Sequence, residues 1–217
     1  MFLEEALWIA NFLATLRVYR GQALIDVGSS DERLRCLALP FVDYYIFRPL
    51  RESGVTIIYI DQREGKGVSI VCDMTSESVE VLKNITPAEV VLCTSFLEHV
   101  ANRDRVVQRI KELTRSGGYI IITVPYVYKY HPDPIDTLYR PSNKDLEALF
   151  TRDEYTVVES MTIEVEGEPV IVTRRLSIRI IHKITRTFFP RLALKLASYF
   201  APIIIKNKVS ILAVQKK

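Results

Sequence analysis

The chain has 217 residues, 48% of them apolar and 25% charged, which allows one well-buried core, leaves too little length for two domains of ordinary size, and excludes a disordered chain. No uninterrupted apolar run approaches the roughly 20 residues of a membrane span, and Glu4 and Glu5 spoil the start as a signal peptide, so the cytoplasm is the expected location. The net charge of +3 is uneven: eleven of the 29 basic residues and no acidic residue follow Glu168, so residues 1–168 hold 18 basic against 26 acidic residues and a net −8.

In chain order, Leu3, Leu7, Trp8, Phe12, Leu16 and Tyr19 recur at helical intervals and predict an amphipathic helix within residues 1–20, ending before Gly21. Ala23–Val27 reads as a buried strand stopped by Gly28. A helical stretch follows from Asp31 to Glu52, interrupted near Pro40 and Pro49, and Val55–Ile60 is a β-branched strand. Val68–Cys72 reads as a third strand, Ser76–Lys83 as a short helix and Glu89–Cys93 as a fourth strand. A helix over Arg103–Arg115 is expected to stop at Gly117-Gly118, before a fifth strand at Tyr119–Val124. A Pro-rich loop (Pro125–Pro141), a helix (Ser142–Phe150) and a strand (Tyr155–Glu164) come next. A basic helical stretch, Arg174–Phe200, precedes a last strand at Val209–Val214. The alternation of strands and helices predicts a parallel sheet covered on both faces. Cys36, Cys72 and Cys93 are odd in number and widely spaced, and read as reduced core thiols.

In an open parallel sheet, ligands bind outside the carboxyl ends of the strands. The first strand ends in Asp26-Val-Gly28, where Gly28 permits a sharp turn, and Ser29, Ser30 and Asp31 can cap the helix after it. The second ends in Asp61, suited to accept from ribose hydroxyls. The third ends in Cys72-Asp73-Met74, where Asp73 can accept from an amino group and Met74 can pack on a ring. The stretch Gly28-Ser-Ser-Asp-Glu-Arg33 has one glycine where a dinucleotide fingerprint needs three, which disfavours a nicotinamide cofactor.

Together these segments resemble the class I S-adenosylmethionine (SAM)-dependent methyltransferases, in particular the small single-domain members with a Leu-Glu-His motif. The matching pieces are Leu24–Gly28, Ile58–Asp61, Cys72–Met74, Ser95-Phe-Leu-Glu-His-Val100 and Ser116–Pro125. The resemblance implies one domain over 1–217 with a Rossmann-like, seven-stranded, mostly parallel α/β sheet, helices on both faces and the last strand antiparallel. It implies SAM as cofactor, with Asp26, Gly28 and Ser29 near its methionine part, Asp61 at the ribose, Asp73 and Met74 at the adenine, and Thr94 and Ser95 lining the site. The loop after the fifth strand resembles the family's acceptor-side loop, which makes His131 the expected catalytic base and Tyr126, Tyr130, Asp133 and Asp136 the expected substrate contacts. His99 is expected to cap a helix or wall the site. No metal is expected, since no cysteine or histidine cluster supports one at His131, Asp133 and Asp136.

The expected activity is methyl transfer to a small-molecule, sugar or lipid-linked acceptor. The alternative is a non-catalytic scaffold of the same fold that binds an anionic partner through its basic end. Within that end, 174–206 forms an insertion before the last strand, and residues 174–200 divide into an apolar and a basic face. Packing on the domain, docking on an anionic membrane surface and, less expected, binding nucleic acid all remain open for it.

Overall fold

The computed structural model describes residues 1–16, 18, 20–132, 135–172 and 203–217. The basic helix expected at Arg174–Phe200 lies outside these residues, as does Asp133. Seven strands form one sheet: β1 (Ala23–Val27), β2 (Thr56–Asp61), β3 (Ile70–Val71), β4 (Ala88–Thr94), β5 (Thr114–Val127), β6 (Tyr155–Val172) and β7 (Ile203–Lys216). Their order is β3-β2-β1-β4-β5-β7-β6. The first five run parallel, and β7 lies antiparallel between β5 and β6. This is the expected Rossmann-like sheet.

The strand period of two sorts side chains onto two cores. Ile25, Val27, Val91, Cys93, Ile120 and Ile122 face one side, where Val106, Val107 and Ile110 of the helix Arg103–Leu113 pack on them. Leu24, Val90, Leu92 and Ile121 face the other side, covered by the N-terminal helix Leu3–Thr15 and by Val42, Ile46 and Phe47. Each fully buried aliphatic side chain contributes roughly 1.5–3 kcal/mol.

The N-terminal helix is rotated from the expected face. Glu5, Ala6, Ile9, Phe12 and Leu13 are its buried residues, whereas Leu3 is 43% exposed and Trp8 is half-buried, stacked on Phe12 at 5.1 Å. The rotation turns Glu5 toward the sheet, where it meets polar partners. Between β1 and β2 the chain makes wide π-helical turns at Leu34–Ala38 and Asp43–Phe47, separated by a break at Leu39 before Pro40. The second π turn runs into Arg48–Glu52, where Pro49, lacking an N–H, sits in the first turn.

Several boundaries differ from expectation. β3 has two paired residues, because its one neighbour, β2, ends at Asp61. The helix Arg103–Leu113 stops before Gly117-Gly118. That glycine pair lies inside β5, at a register shift between Ala88 and Val90, where a Cβ on Gly118 would come within 3.0 Å of the Glu89 carbonyl. β6 and β7 are longer than expected and pair from Tyr155–Lys216 to Val172–Ile203. All three cysteines are unpaired, with Cys72 and Cys93 buried. Among the described residues, no helix is long and apolar enough to cross a membrane.

The reassigned helix face has a direct consequence. Replacing fully buried Ile9 by Ala is expected to cost about 2–5 kcal/mol in urea unfolding, and Leu3→Ala less than about 0.5 kcal/mol. A larger loss at Leu3 would contradict the packing.

Candidate active site

A cavity of about 710 Å³ opens at the carboxyl ends of β1 to β5. All eight residues expected around a cofactor line it: Asp26, Gly28, Ser29, Asp61, Asp73, Met74, Thr94 and Ser95. The convergence follows from topology, since the chain leaves β1 toward β2 on one side and β4 begins the progression on the other, so the loops after these adjacent strands diverge.

The turn after β1 is built without the usual run of glycines. Gly28 has φ +75°, and a Cβ there would lie 2.4 Å from the Phe96 ring, so only glycine fits. The Gly28 and Ser29 N–H groups both donate to the Ile60 carbonyl, at 2.9 and 3.0 Å. Ser30 takes φ +55°, a conformation held by its own N–H bond to Asp61 Oδ2 at 2.8 Å and by Arg35. The Arg35 guanidinium is buried and donates to the carbonyls of Ser29 (3.0 Å), Ser30 (2.6 Å) and Gly67 (2.8 Å) while stacking 3.9 Å over the Tyr59 ring. The side chain of Asp31 caps the following turn at the Leu34 N–H, 2.9 Å. Burial pushes the Asp26 carboxyl up to about 7, against the pull of Arg35 and with added repulsion from Asp61.

At the end of β2, Asp61 accepts one backbone N–H on each oxygen, Ser30 on Oδ2 and Arg63 on Oδ1 at 2.9 Å. A carboxylate oxygen has room for about two bonds, so Asp61 retains capacity to accept from a ligand. After β3, Asp73 forms a local turn, accepting the Thr75 N–H (2.8 Å) and hydroxyl (2.7 Å), bonds that hold its carboxyl below the usual range. Met74 is buried beside it. Two arginines of the helix Arg103–Leu113 fix this loop: Arg109 donates to the Met74 and Ser76 carbonyls and Arg105 to that of Thr75.

Two buried acids lie at the ends of β4 and β5, and Glu98 of the pair lines the cavity. Ser95, at φ +47°, donates its N–H to the Thr123 carbonyl at 2.9 Å. Glu5, fully buried, accepts from the Thr123 hydroxyl, from the Ser95 hydroxyl at 3.5 Å and from the Phe2 N–H at 3.0 Å. Glu98 is also fully buried, and neither of its carboxylate oxygens has a hydrogen-bond partner among the described residues. Burial, reinforced by repulsion from Glu5, pushes the Glu98 carboxyl up to about 8.

The loop after β5 brings His131 to the same wall, next to His99, with ring centroids 5.1 Å apart. Tyr128 lines the cavity and packs on His131, whereas Tyr126 and Tyr130 are exposed and not part of the cavity wall. Tyr126 falls at the irregularity in β5–β7 pairing between Pro125 and Val127, where the strand exposes it. The Asp136 side chain is enclosed and committed to the loop, accepting from the His131 N–H (3.0 Å), the Leu138 N–H (2.8 Å) and both Arg140 nitrogens (3.0 and 2.6 Å). Burial works to raise its pKa, but these donors outweigh it and hold the carboxyl far below the usual range. Glu98, His99 and His131 each offer a ligand atom, all within 4.8 Å of one another. Sequence reasoning missed Arg35, Glu5 and the orphaned Glu98. Glu5 left a signal as a carboxylate four residues before Ile9 on what becomes the buried face, and Glu98 as the acid of the Leu-Glu-His motif.

Arg35→Ala is expected to lower unfolding stability on the order of 3 kcal/mol, and Arg35→Lys not to restore it, because one ammonium cannot reproduce the guanidinium fork. Unfolded Asp26 ionises near pH 4, so between about pH 4 and 7 the folded protein keeps a proton that the unfolded chain has lost, and stability falls as pH rises. Asp26→Asn is therefore expected to flatten the decline of Tm from pH 5 to pH 8. An unchanged slope would refute the buried, protonated Asp26.

No protein-family model matches the sequence, and no curated protein matches it. Solved structures do match in fold. A crystal structure of MccD protein is 15% identical, with 97% of each chain covered and a TM-score of 0.52. Coclaurine N-methyltransferase bound to N-methylheliamine and SAH is 12% identical, covering 98% of this chain and 72% of that one at a TM-score of 0.53. Magnesium protoporphyrin IX methyltransferase from Synechocystis PCC 6803, with bound SAM, is 10% identical over 98% and 79% of the two chains at a TM-score of 0.51. The chain therefore has the class I methyltransferase fold.

Proposed function

We propose that this protein is a SAM-dependent methyltransferase acting on a small-molecule, sugar or lipid-linked acceptor. The carrying observation is the cavity of about 710 Å³ around which Gly28, Asp61, Met74 and Ser95 arrive in order from four adjacent strand ends. Its size suits a nucleoside cofactor with an acceptor beside it. The residues fit the cofactor: Asp61 has unused acceptor capacity for ribose hydroxyls, Met74 offers an apolar surface to adenine, and Gly28 keeps the turn free of a Cβ.

When bound, SAM supplies an electrophilic methyl group on a sulfonium. The protein's part is orientation, since in-line displacement needs acceptor and methyl held within about 3–3.5 Å. Thr94 and Ser95 wall the cavity between the cofactor end and the loop that carries His131. For a hydroxyl acceptor the proton leaves on the His131 side, and Asp136 positions that residue by accepting its backbone N–H. Tyr128, rather than Tyr126 or Tyr130, is the tyrosine of this loop that lines the cavity and stands to meet an acceptor. The basic stretch 174–200 supplies docking to an anionic membrane surface for a lipid-linked acceptor, which liposome flotation with anionic and neutral lipids tests.

Calorimetric titration with SAM and its demethylated product SAH is expected to give one-to-one, micromolar binding. Asp61→Ala, checked for folding by circular dichroism, is expected to weaken it at least about tenfold. No heat and no thermal stabilisation by either compound would favour the non-catalytic scaffold.

A further inference from the structure

Three side chains at the acceptor end of the cavity remain unexplained by cofactor binding. Glu98 is wholly enclosed and directs two unpartnered carboxylate oxygens into a space shared with two imidazoles. A buried carboxyl with no hydrogen bond on either oxygen is among the costlier features a fold can carry, and a bound cation is one way to compensate it. The positive groups whose charge reaches Glu98 are the N-terminal ammonium and Arg140; neither hydrogen-bonds it, and Arg140 is bound to Asp136.

We propose that Glu98, His99 and His131 form a mononuclear site for a divalent transition-metal ion of the zinc type, open toward the cavity, where it coordinates an oxygen of the methyl acceptor. Two imidazoles and one carboxylate, with ligand atoms within 4.8 Å of one another, leave at least one coordination position for an exogenous ligand. The imidazoles disfavour magnesium and calcium, which take oxygen donors. His99 and Glu98 share one short turn, Leu97–His99, with His99 Nε2 3.7 Å from Glu98 Oε1. His99 Nδ1 lies against the Ile135 carbonyl, which assigns the ring proton to Nδ1 and leaves the Nε2 lone pair facing Glu98.

The loop bearing His131 is fastened to this turn. The Thr137 N–H and hydroxyl both donate to the Glu98 carbonyl at 2.9 Å, and Asp136 accepts the His131 backbone N–H at 3.0 Å, with its Oδ2 also 3.1 Å from His131 Nδ1, which makes no hydrogen bond. The Ile135 carbonyl behind His99 is the kind of support a ligating histidine uses, and the Asp136 carboxylate stands near the His131 ring, where a small turn of the imidazole would supply the same. An ion here lowers the pKa of a coordinated hydroxyl, whose proton departs to solvent at the cavity mouth and leaves the oxygen as nucleophile. His131 then acts through the ion instead of taking the proton itself. The metal site stands on this geometry alone; the acceptor's role rests on the methyltransferase reading.

Metal-stripped full-length protein titrated with Co²⁺ is expected to develop visible absorption with one equivalent bound, and Zn²⁺ to displace it and raise Tm. Glu98→Gln, His99→Ala and His131→Ala are each expected to weaken Co²⁺ binding by at least about 100-fold. Because His99 is partly buried, His131→Ala, on the loop, serves as the variant that keeps the fold, verified by circular dichroism. Asp61→Ala is expected to keep the Co²⁺ spectrum while losing SAH binding, which separates failure of the metal site from failure of the cofactor reading. Catechol and glycerol, as oxygen ligands, are expected to shift the Co²⁺ bands. Absence of stoichiometric binding, or binding that survives His131→Ala in folded protein, would overturn the site. Bands unmoved by both oxygen ligands would overturn the acceptor role.

Discussion

Where β1 and β4 lie side by side, the chain departs in opposite directions, and no helix can roof the gap between their carboxyl ends. Backbone groups of several turns and a set of acids therefore meet in a partly enclosed space. The turn after β1 shows how this is resolved. With Gly28 as its one glycine, Ser30 adopts a left-handed conformation, and buried Arg35 reaches back to collect the carbonyls of Ser29, Ser30 and Gly67. One guanidinium thus does what a glycine-rich loop does elsewhere, giving a rigid turn open on the cavity side.

The same space concentrates buried acids. Asp26, Glu5 and Glu98 come from β1, the N-terminal helix and the turn after β4, and all are nearly inaccessible to solvent. Their treatment differs. Glu5 is satisfied by two hydroxyls and an N–H, Asp26 lies under the field of Arg35, and Glu98 has no hydrogen-bond partner among the described residues. A core built for stability alone would replace such groups with apolar ones. Asp26 and Glu98 line one cavity and Glu5 bonds to Ser95 in its wall, the pattern of a site organised for ligands.

Most of the sheet was legible in the sequence because β-branched runs such as Thr56–Ile60 and Val90–Cys93 carry a strong local signal, and a buried parallel strand needs little else. The failures share a cause, a tertiary partner distant in sequence. On the N-terminal helix the apolar spacing found Phe12 but not Glu5, whose Thr123 and Ser95 partners lie about 90 residues or more away, so the buried face is rotated from the expected one. Gly117-Gly118 resembles a helix stop until the bulge opposite Ala88 is known. At the site, the strand-end acids were readable from position alone. Arg35 was not, because an arginine in a helical stretch looks like a solvated charge. Nor was the pairing of His99 with His131, which depends on Thr137 and Ile135 folding the loop back onto the turn at Glu98.

A crystal structure grown with SAH tests the central claim most directly. Density for one molecule is expected in the cavity, with its ribose at Asp61, adenine beside Met74 and amino-acid end over the Gly28–Ser30 turn. A cavity left empty at saturating SAH, or SAH bound away from Asp61 and Gly28, would contradict the claim.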